Sequence, residues 1–447
     1  MEQLADHPYW TLTFDESGKL TKPAAGEFLD GVVSQGVSDL FVMSHGWGDS
    51  QTAAQQLYEA MFPLVAAAAG QAANVGPIGF VGIYWPSLWF PDPPPDAPGV
   101  ADAVAAGKPG AADAALSGQQ IAQTLKASYA DPGRQDTVEK MGQLIDAGAA
   151  AAGAEPPAAQ QARLDEFHGL LKNLVTNGEQ PLEDSGETSL LRTDDPKTDY
   201  AKISDILGSA PEGGAAEGLG DVFSKVWNGA KDAMRAGSYY EMKSRAGTIG
   251  HKGLGPLLAQ LHAKSPGVRV HLIGHSFGAR LVSFALSGIG AAAASPVASL
   301  CLVQGAFSHW SFAHLQDMPF GKAGALNEFT DRVHGPLVAT FSEHDWAVGQ
   351  WYPRASFLAQ QNAAAEVAPA NQWGGMGSDG FQGVTPKGDL DLLPAGRPYQ
   401  LAPGSFYRVN GSGVIADTKQ SRFAGAHSDI CHPEVAWLAV AAAAATA

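Results

Sequence analysis

The stretch Gly274-His275-Ser276-Phe277-Gly278 constrains this chain more than any other. An apolar run, Val268 to Ile273, precedes it, and a helix-like run, Ala279 to Leu286, follows. A chain that turns sharply from strand into helix holds the central residue at a strained backbone angle. Glycine two places before and two places after removes the clashes that a Cβ would make there. The turn lifts the Ser276 hydroxyl clear of the sheet, where a base can reach it. It also sets the Phe277 N–H at a helix N-terminus, facing any negative charge that develops nearby. Strand, G-x-S-x-G and helix in that order is the context of a nucleophilic serine. The five residues alone carry little weight in a chain rich in glycine, and the flanking patterns supply the rest.

Such a serine asks three things of the remaining chain: a second oxyanion donor upstream, then an acid and a histidine downstream. Upstream, the apolar strand pattern Asp39 to Met43 ends in Ser44-His45-Gly46-Trp47-Gly48. Its glycines let the backbone turn an N–H inward, and Trp47 is the candidate donor. His45 is better explained as shaping the loop by a hydrogen bond than as a base. Downstream, the strand pattern Leu337 to Phe341 runs into Ser342-Glu343-His344-Asp345-Trp346. A carboxylate just beyond a parallel strand's C-terminal end shares the rim with the serine. Asp345 is the preferred acid, with Glu343 and Asp429 as alternatives. Late in the chain, Gly425-Ala426-His427-Ser428-Asp429 offers His427 as the base, and His432, abutting Pro433, as the lesser choice. The acid would accept Nδ1–H of the imidazole and leave Nε2 to take the serine proton.

Around these motifs the pattern alternates strand and helix, which implies a parallel sheet with crossover connections. A proline-rich stretch, Pro91 to Gly99, interrupts it. From there to about Gly237 the pattern is helical. Leu164, Phe167, Leu170, Leu171 and Leu174 share one face, as do Leu219, Val222, Phe223, Val226, Trp227, Ala230 and Met234. The expected organisation is a core of residues 1–90 and 236–447, an all-helical insertion over 91–235, and a second, irregular insertion over 346–404. A helix interrupted by glycines is expected from Tyr239 to His262.

Taken together, the serine turn, the upstream His-Gly-Trp-Gly, the Ser-Glu-His-Asp after a strand and the late Ala-His-Ser-Asp resemble the α/β-hydrolase superfamily. The likeness covers roughly residues 37–85 and 239–445. It implies a three-layer α/β/α fold with a mostly parallel sheet and an inserted helical cap. It also implies a Ser276–His427–Asp345 triad with an oxyanion hole from Trp47 and Phe277, and neither metal nor cofactor. Two features depart from the family's pattern. The insertion follows an early strand, and the span from Asp345 to His427 is long. A serine at the turn argues against the family's aspartate-dependent dehalogenases. The expected activity is esterase- or lipase-like. An amidase, peptidase or thioesterase shares the same triad, and a binding protein of the same fold that has lost the chemistry is the rival of another class.

Composition narrows the partners. Lys plus Arg is 28 and Asp plus Glu is 45, a formal net charge of −17, which argues against nucleic acid or an anionic membrane. No apolar run approaches the roughly 20 residues a membrane helix needs. The acidic, polar start, Met1 to Pro8, is unlike a signal peptide, so a cytoplasmic protein is expected. The two cysteines, Cys301 and Cys431, form no zinc spacing and are expected to be buried thiols. His309, His314 and Asp317 fall close together, but their aromatic neighbours favour a pocket wall over a metal site. Trp85, Phe307, Trp310 and Trp346 follow strand ends near the same rim. They are the candidate substrate contacts and favour a small-molecule ester with an apolar acyl or alcohol group.

Overall fold

The computed structural model describes residues 2–46, 51–87, 116–126, 129–175, 195–207, 219–318, 323–348, 374–385, 387–419 and 425–446. Trp47 and the proline-rich stretch 91–99 lie outside them. The fold is built on one mixed, mostly parallel sheet. Its strands, in chain order, are β1 (Glu2–Leu4), β2 (His7–Phe14), β3 (Leu20–Lys22), β4 (Asp39–Ser44), β5 (Ile78–Tyr84), β6 (Arg269–His275), β7 (Val297–Val303), β8 (Leu337–Phe341), β9 (Lys387–Asp391) and β10 (Phe406–Asn410). Across the sheet they run β1-β2-β5-β4-β6-β7-β8-β10-β9, and β3 pairs with β2 off this path. From β2 to β9 every neighbouring pair is parallel, whereas β1 and β3 join β2 antiparallel.

Helices cover both faces, and strand alternation divides the core between them. Leu40, Val42, Val270, Leu272, Leu300 and Leu302 enter one cluster, and Phe41, Met43, Ile273, Cys301 and Val303 enter the other. Burial on both faces explains why these strands read as unbroken apolar runs. The first face carries α1 (Ala25–Ser34) and the second α2 (Gln51–Ala69). This confirms the α/β class with a mostly parallel sheet.

The order of the strands locates a crevice. After β4 the chain steps outward to β5, then returns past β4 to lay β6 on its other side. The connections leaving β4 and β6 therefore part company at the sheet's carboxyl edge, where open α/β sheets hold their ligands. His45-Gly46 follows β4 and Ser276 follows β6, and Ser44 lies opposite Gly274 in the ladder.

Between β5 and β6 lie α3 (Gly118–Lys126), α4 (Pro132–Ala150), α5 (Pro157–Val175), α6 (Pro196–Leu207) and α7 (Leu219–Ile249). They enclose an apolar core of their own, with Ile121, Val138, Met141, Leu164, Phe167, Tyr200 and Trp227 fully or almost fully buried. The Trp227 indole N–H donates to Gln160 Oε1 at 2.8 Å, deep inside this core. Trp227→Ala is expected to cost about 3–5 kcal/mol of this unit's stability, from the cavity and the stranded Gln160. Urea unfolding followed by far-UV circular dichroism would measure it. A midpoint equal to the wild type's would contradict the role of Trp227.

Three expectations need correction. The helix expected over Tyr239 to His262 is instead the end of α7, a π-turn at Gly250–Leu254 and α8 (Gly255–Lys264). A boundary at 235/236 therefore cuts a continuous helix. Its first half packs in the insertion through Val226, Trp227 and Met234, and its second packs on the sheet through Met242, Ala246 and Ile249. Burial at both ends outweighs the helix cost of Gly237 and Gly247, about 1 kcal/mol each. The stretch 346–404 is not wholly irregular, because it contains the short helix α10 (Met376–Asp379) and the edge strand β9. The sequence of β9, Lys-Gly-Asp-Leu-Asp, is polar because one edge has no neighbour, which hides it from an apolar pattern. Finally, both cysteines are free, but only Cys301 is buried while Cys431 is exposed.

A partly buried ionic cluster joins the helical unit to the sheet. Arg134 on α4 holds both carboxylate oxygens of Glu241 on α7 at 3.0 Å. One turn on, Arg245 donates to Pro86 O at 3.0 Å and to Glu16 Oε2 at 3.3 Å, beyond β5 and β2 respectively. Glu241 and Arg245 are themselves within 3.4 Å. Among the described residues no helix is long and apolar enough to cross a membrane.

Candidate active site

Ser276 has φ +56° and ψ −124°, between the end of β6 and the start of α9 (Phe277–Gly288). A non-glycine residue there carries strain of about 1–3 kcal/mol, and three main-chain bonds hold it. Its N–H donates to Val303 O at 3.2 Å, and its carbonyl accepts from Ala279 and Ala306 N–H at 3.1 Å each. The flanking glycines are needed, and they do approach each other: a Cβ at Gly274 would lie 2.6 Å from Gly278 O. A Cβ at Gly274 would strike Ala279, whereas one at Gly278 would strike the carbonyls of Ser44 and His45. Gly278 thus lets the elbow helix close against the end of β4.

That closure brings the His45-Gly46 turn onto the serine. A Cβ on Gly46 would lie 2.6 Å from Ser276 Cβ and 3.2 Å from its Oγ. His45 is buried. Its Nδ1–H donates to Gly46 O at 2.9 Å, its own N–H donates to Tyr58 Oη at 3.0 Å, and its ring stacks on Trp85 at 5.5 Å. These are the contacts of a loop-shaping residue. The Trp85 indole in turn donates to His45 O at 3.3 Å.

The predicted acid, Asp345, and the predicted base, His427, meet directly. Nδ1–H of His427 donates to Asp345 Oδ2 at 2.8 Å. Both are buried, Asp345 at 1% exposure and His427 at 8%. Their loops are paired through the backbone as well: Asp345 bridges Gly425, and Ala426 N–H donates to His344 O at 2.8 Å. Gly425 has φ +61°, and a Cβ on it would strike His344 O and stand 2.9 Å from the Trp346 ring. Only glycine lets the two loops close like this, with Trp346 packed over the junction.

The base loop meets the elbow through His275, whose Nε2–H donates to His427 O at 2.9 Å. His275, which precedes Ser276 in the chain, thus links the serine turn at the switch point to the His427–Asp345 pair. The alternatives are elsewhere. The Glu343 carboxylate is exposed and lies 3.7 Å from His344. Asp429 Oδ2 accepts the N–H groups of Ala416 and Asp417 at 2.9 and 2.8 Å, and its Oδ1 faces His432 at 2.8 Å. Both Asp429 and His432 are thus spent on folding the loop.

One residue of this site has no motif to announce it. Gln304, directly after β7, is fully buried with φ +49°. Its Nε2–H donates to Asp345 Oδ2 at 2.8 Å, and its Oε1 accepts from the Thr340 hydroxyl at 3.0 Å. With Val348 N–H on Oδ1 at 3.0 Å, Asp345 receives three donors among the described residues. The available signal is a polar residue, followed by Gly305, at the end of an apolar strand, the position that Ser276 holds one strand earlier.

The candidate substrate contacts divide. Phe307 is sealed in the core, and Trp85 is buried against His45. Trp310 and Trp346 are only half-buried. Phe277 opens α9 with its ring buried, and Trp47 lies outside the described residues. His309 is paired with Asp379 at 2.6 Å, not with His314 or Asp317. Among the described residues no group of three or more His, Cys, Asp or Glu side chains is placed to hold a metal ion.

The chain matches no protein-family model, no curated protein and no solved structure. What bears on its function is this geometry.

The site also sets an acid limit on stability. Burial holds His45 down to about 4. Burial, with His427 beside it, holds His275 down to about 3. Unfolded, both return to about 6.5. Between those values the unfolded chain binds more protons, so their stabilisation is complete above about pH 6.5 and falls as the pH drops. By pH 4 each is expected to cost about 2–3 kcal/mol. Melting temperatures at pH 7, 6, 5 and 4 should fall steeply over the last two steps, and a flat series would contradict the burial of neutral imidazoles.

Proposed function

We propose that this protein is a serine hydrolase of the α/β-hydrolase kind, cleaving carboxylic esters that carry an apolar acyl or alcohol group. The observation that carries this reading is a strained serine at a strand-to-helix elbow, joined through its neighbour His275 to a buried His427–Asp345 pair. In the reaction, Ser276 Oγ attacks the ester carbonyl while His427 Nε2 takes its proton. Asp345 holds Nδ1–H, which keeps the imidazole in the receptive tautomer and steadies the imidazolium that forms. The N–H groups of Phe277 and Trp47 hold the oxyanion. The N-terminus of α9 favours negative charge at this point. Collapse of the adduct expels the alcohol, which takes the proton from His427. Water then attacks the acyl-enzyme by the reverse proton transfer, releasing the acid and restoring Ser276.

Two features support the substrate class. Trp310 and Trp346 keep part of their surface open near the carboxyl edge, and residues 91–235 act as a cap over it. The cap reading rests on the insertion's place between β5 and β6 and on the Arg134–Glu241–Arg245 cluster that ties it to Pro86 at the end of β5. A fluorophosphonate probe, followed by a panel of esters, thioesters and amides of graded acyl length, tests the proposal. One label per chain, lost in Ser276→Ala, and fastest turnover on esters of medium to long acyl groups are expected. No labelling would leave only a binding protein, and turnover confined to amides or thioesters would move the activity to those bonds.

A further inference from the structure

His275 adjoins the serine but takes no part in the triad. Its ring is 5% exposed and lies 4.9 Å from that of His427, tilted by 39°. The proton on Nε2 is given to the His427 carbonyl at 2.9 Å, which leaves a lone pair on Nδ1. Nδ1 is buried and has no hydrogen-bond partner among the described residues, and a Cβ on Gly46 would lie 3.2 Å from it. Leaving a buried acceptor unpaired costs about 1–3 kcal/mol, so an apolar side chain would suit packing alone better. The single bond that the ring makes is the feature to explain.

That bond has a particular place in the base loop. One side of the loop is held by Ala426 N–H on His344 O, and the other by Asp429 on the 416–417 backbone. At residue 427 itself, the main chain is bonded by His275 alone among the described residues. The imidazole of His427 is steered from the other direction by Asp345. The base is thus held at its ring by the acid and at its backbone by the residue next to the serine.

We propose that His275 is a positioning residue that ties the backbone of the base, His427, to the elbow, so that nucleophile and base keep one separation as the loops around them move. This rests on reading Ser276 and His427 as nucleophile and base. Burial also keeps the His275 ring neutral, so it sets no second positive charge beside the imidazolium of His427. The contribution is geometric, and a misplacement of about 1 Å at such a site costs on the order of 10²-fold in rate.

Three substitutions test it. His275→Gln keeps an N–H donor at nearly the reach of Nε2, whereas His275→Leu and His275→Met fill the space without one. In Leu and Met, kcat on the best ester is expected to fall about 10- to 100-fold with KM changed less than about 3-fold. Gln is expected to recover most of that loss. The downfield proton resonance of His427 Nδ1–H against Asp345 should shift in Leu and Met and return in Gln. A role in packing alone would move the melting temperature and leave this pattern absent. Wild-type kcat and resonance in a folded Leu or Met variant would overturn the proposal, as would a folded Gln variant no better than Leu. If wild-type labelling by fluorophosphonate is absent, or survives in Ser276→Ala, the nucleophile reading fails and the proposal falls with it, whatever the His275 variants do.

Discussion

Ser276→Ala is expected to lower ester turnover by about 10⁴- to 10⁶-fold and to leave the fold intact. Loss of the nucleophile removes the acyl-enzyme route altogether. The residual rate, about 10³-fold over water, comes from the oxyanion donors and from binding. The fold should survive because Ser276 is held through its backbone, by Val303 O and by the N–H groups of Ala279 and Ala306, and all three bonds remain in alanine. Alanine adopts the same φ of +56° at similar cost. Six decades in rate correspond to about 8 kcal/mol of lost transition-state stabilisation, far beyond any effect of a methyl-sized change in packing. Turnover within about tenfold of wild type, measured on protein purified away from host esterases, would end the serine reading.

Asp345→Asn should cost about 10⁴-fold in turnover, because the imidazole is then held in the wrong tautomer. The geometry makes this sharper than a simple loss of charge. Asp345 Oδ2 receives His427 Nδ1–H and Gln304 Nε2–H, and Oδ1 receives Val348 N–H. An asparagine must turn its NH2 toward one side or the other, so a donor faces a donor either way. Glu343→Gln is expected to stay within about twofold of wild type, since that carboxylate is exposed and, among the described residues, pairs with His344 at 3.7 Å. Asp429→Asn should lower the melting temperature more than turnover, because Asp429 fastens the 416–417 backbone and His432. Steady-state kinetics and melting curves on the three variants separate these roles. A crippled Glu343→Gln beside an active Asp345→Asn would reverse the assignment.

Much of the fold can be read from the chain because strands buried on both faces announce themselves. Runs such as Asp39–Ser44, Ile78–Tyr84 and Val297–Val303 need no tertiary information to be recognised, and neither does the Gly-x-Ser-x-Gly turn. Strands with a free edge leave a weaker trace. The polar Lys387–Asp391 and the short Glu2–Leu4 lie at the two ends of the sheet and pass as loop. Helix boundaries fail for another reason. The helix Leu219–Ile249 draws its burial from two separate cores, so the glycines that break its pattern do not break its backbone.

The site shows the same division. By itself the sequence determined the residue types and their order: a serine on an elbow, a short list of acids after β8 and a late histidine before the last helix. Local spacing is enough for this, because strand ends carry loops to one edge of a parallel sheet. The tertiary structure decided which acid meets the histidine, because that choice depends on two loops some 80 residues apart pairing through Asp345 and Gly425. It also decided where Gln304 and His275 sit, and both are marked out only by what they touch across strands and loops. No periodicity records such contacts, since hydrogen bonds between distant segments depend on how the sheet is ordered, and that order is settled only when the whole core packs.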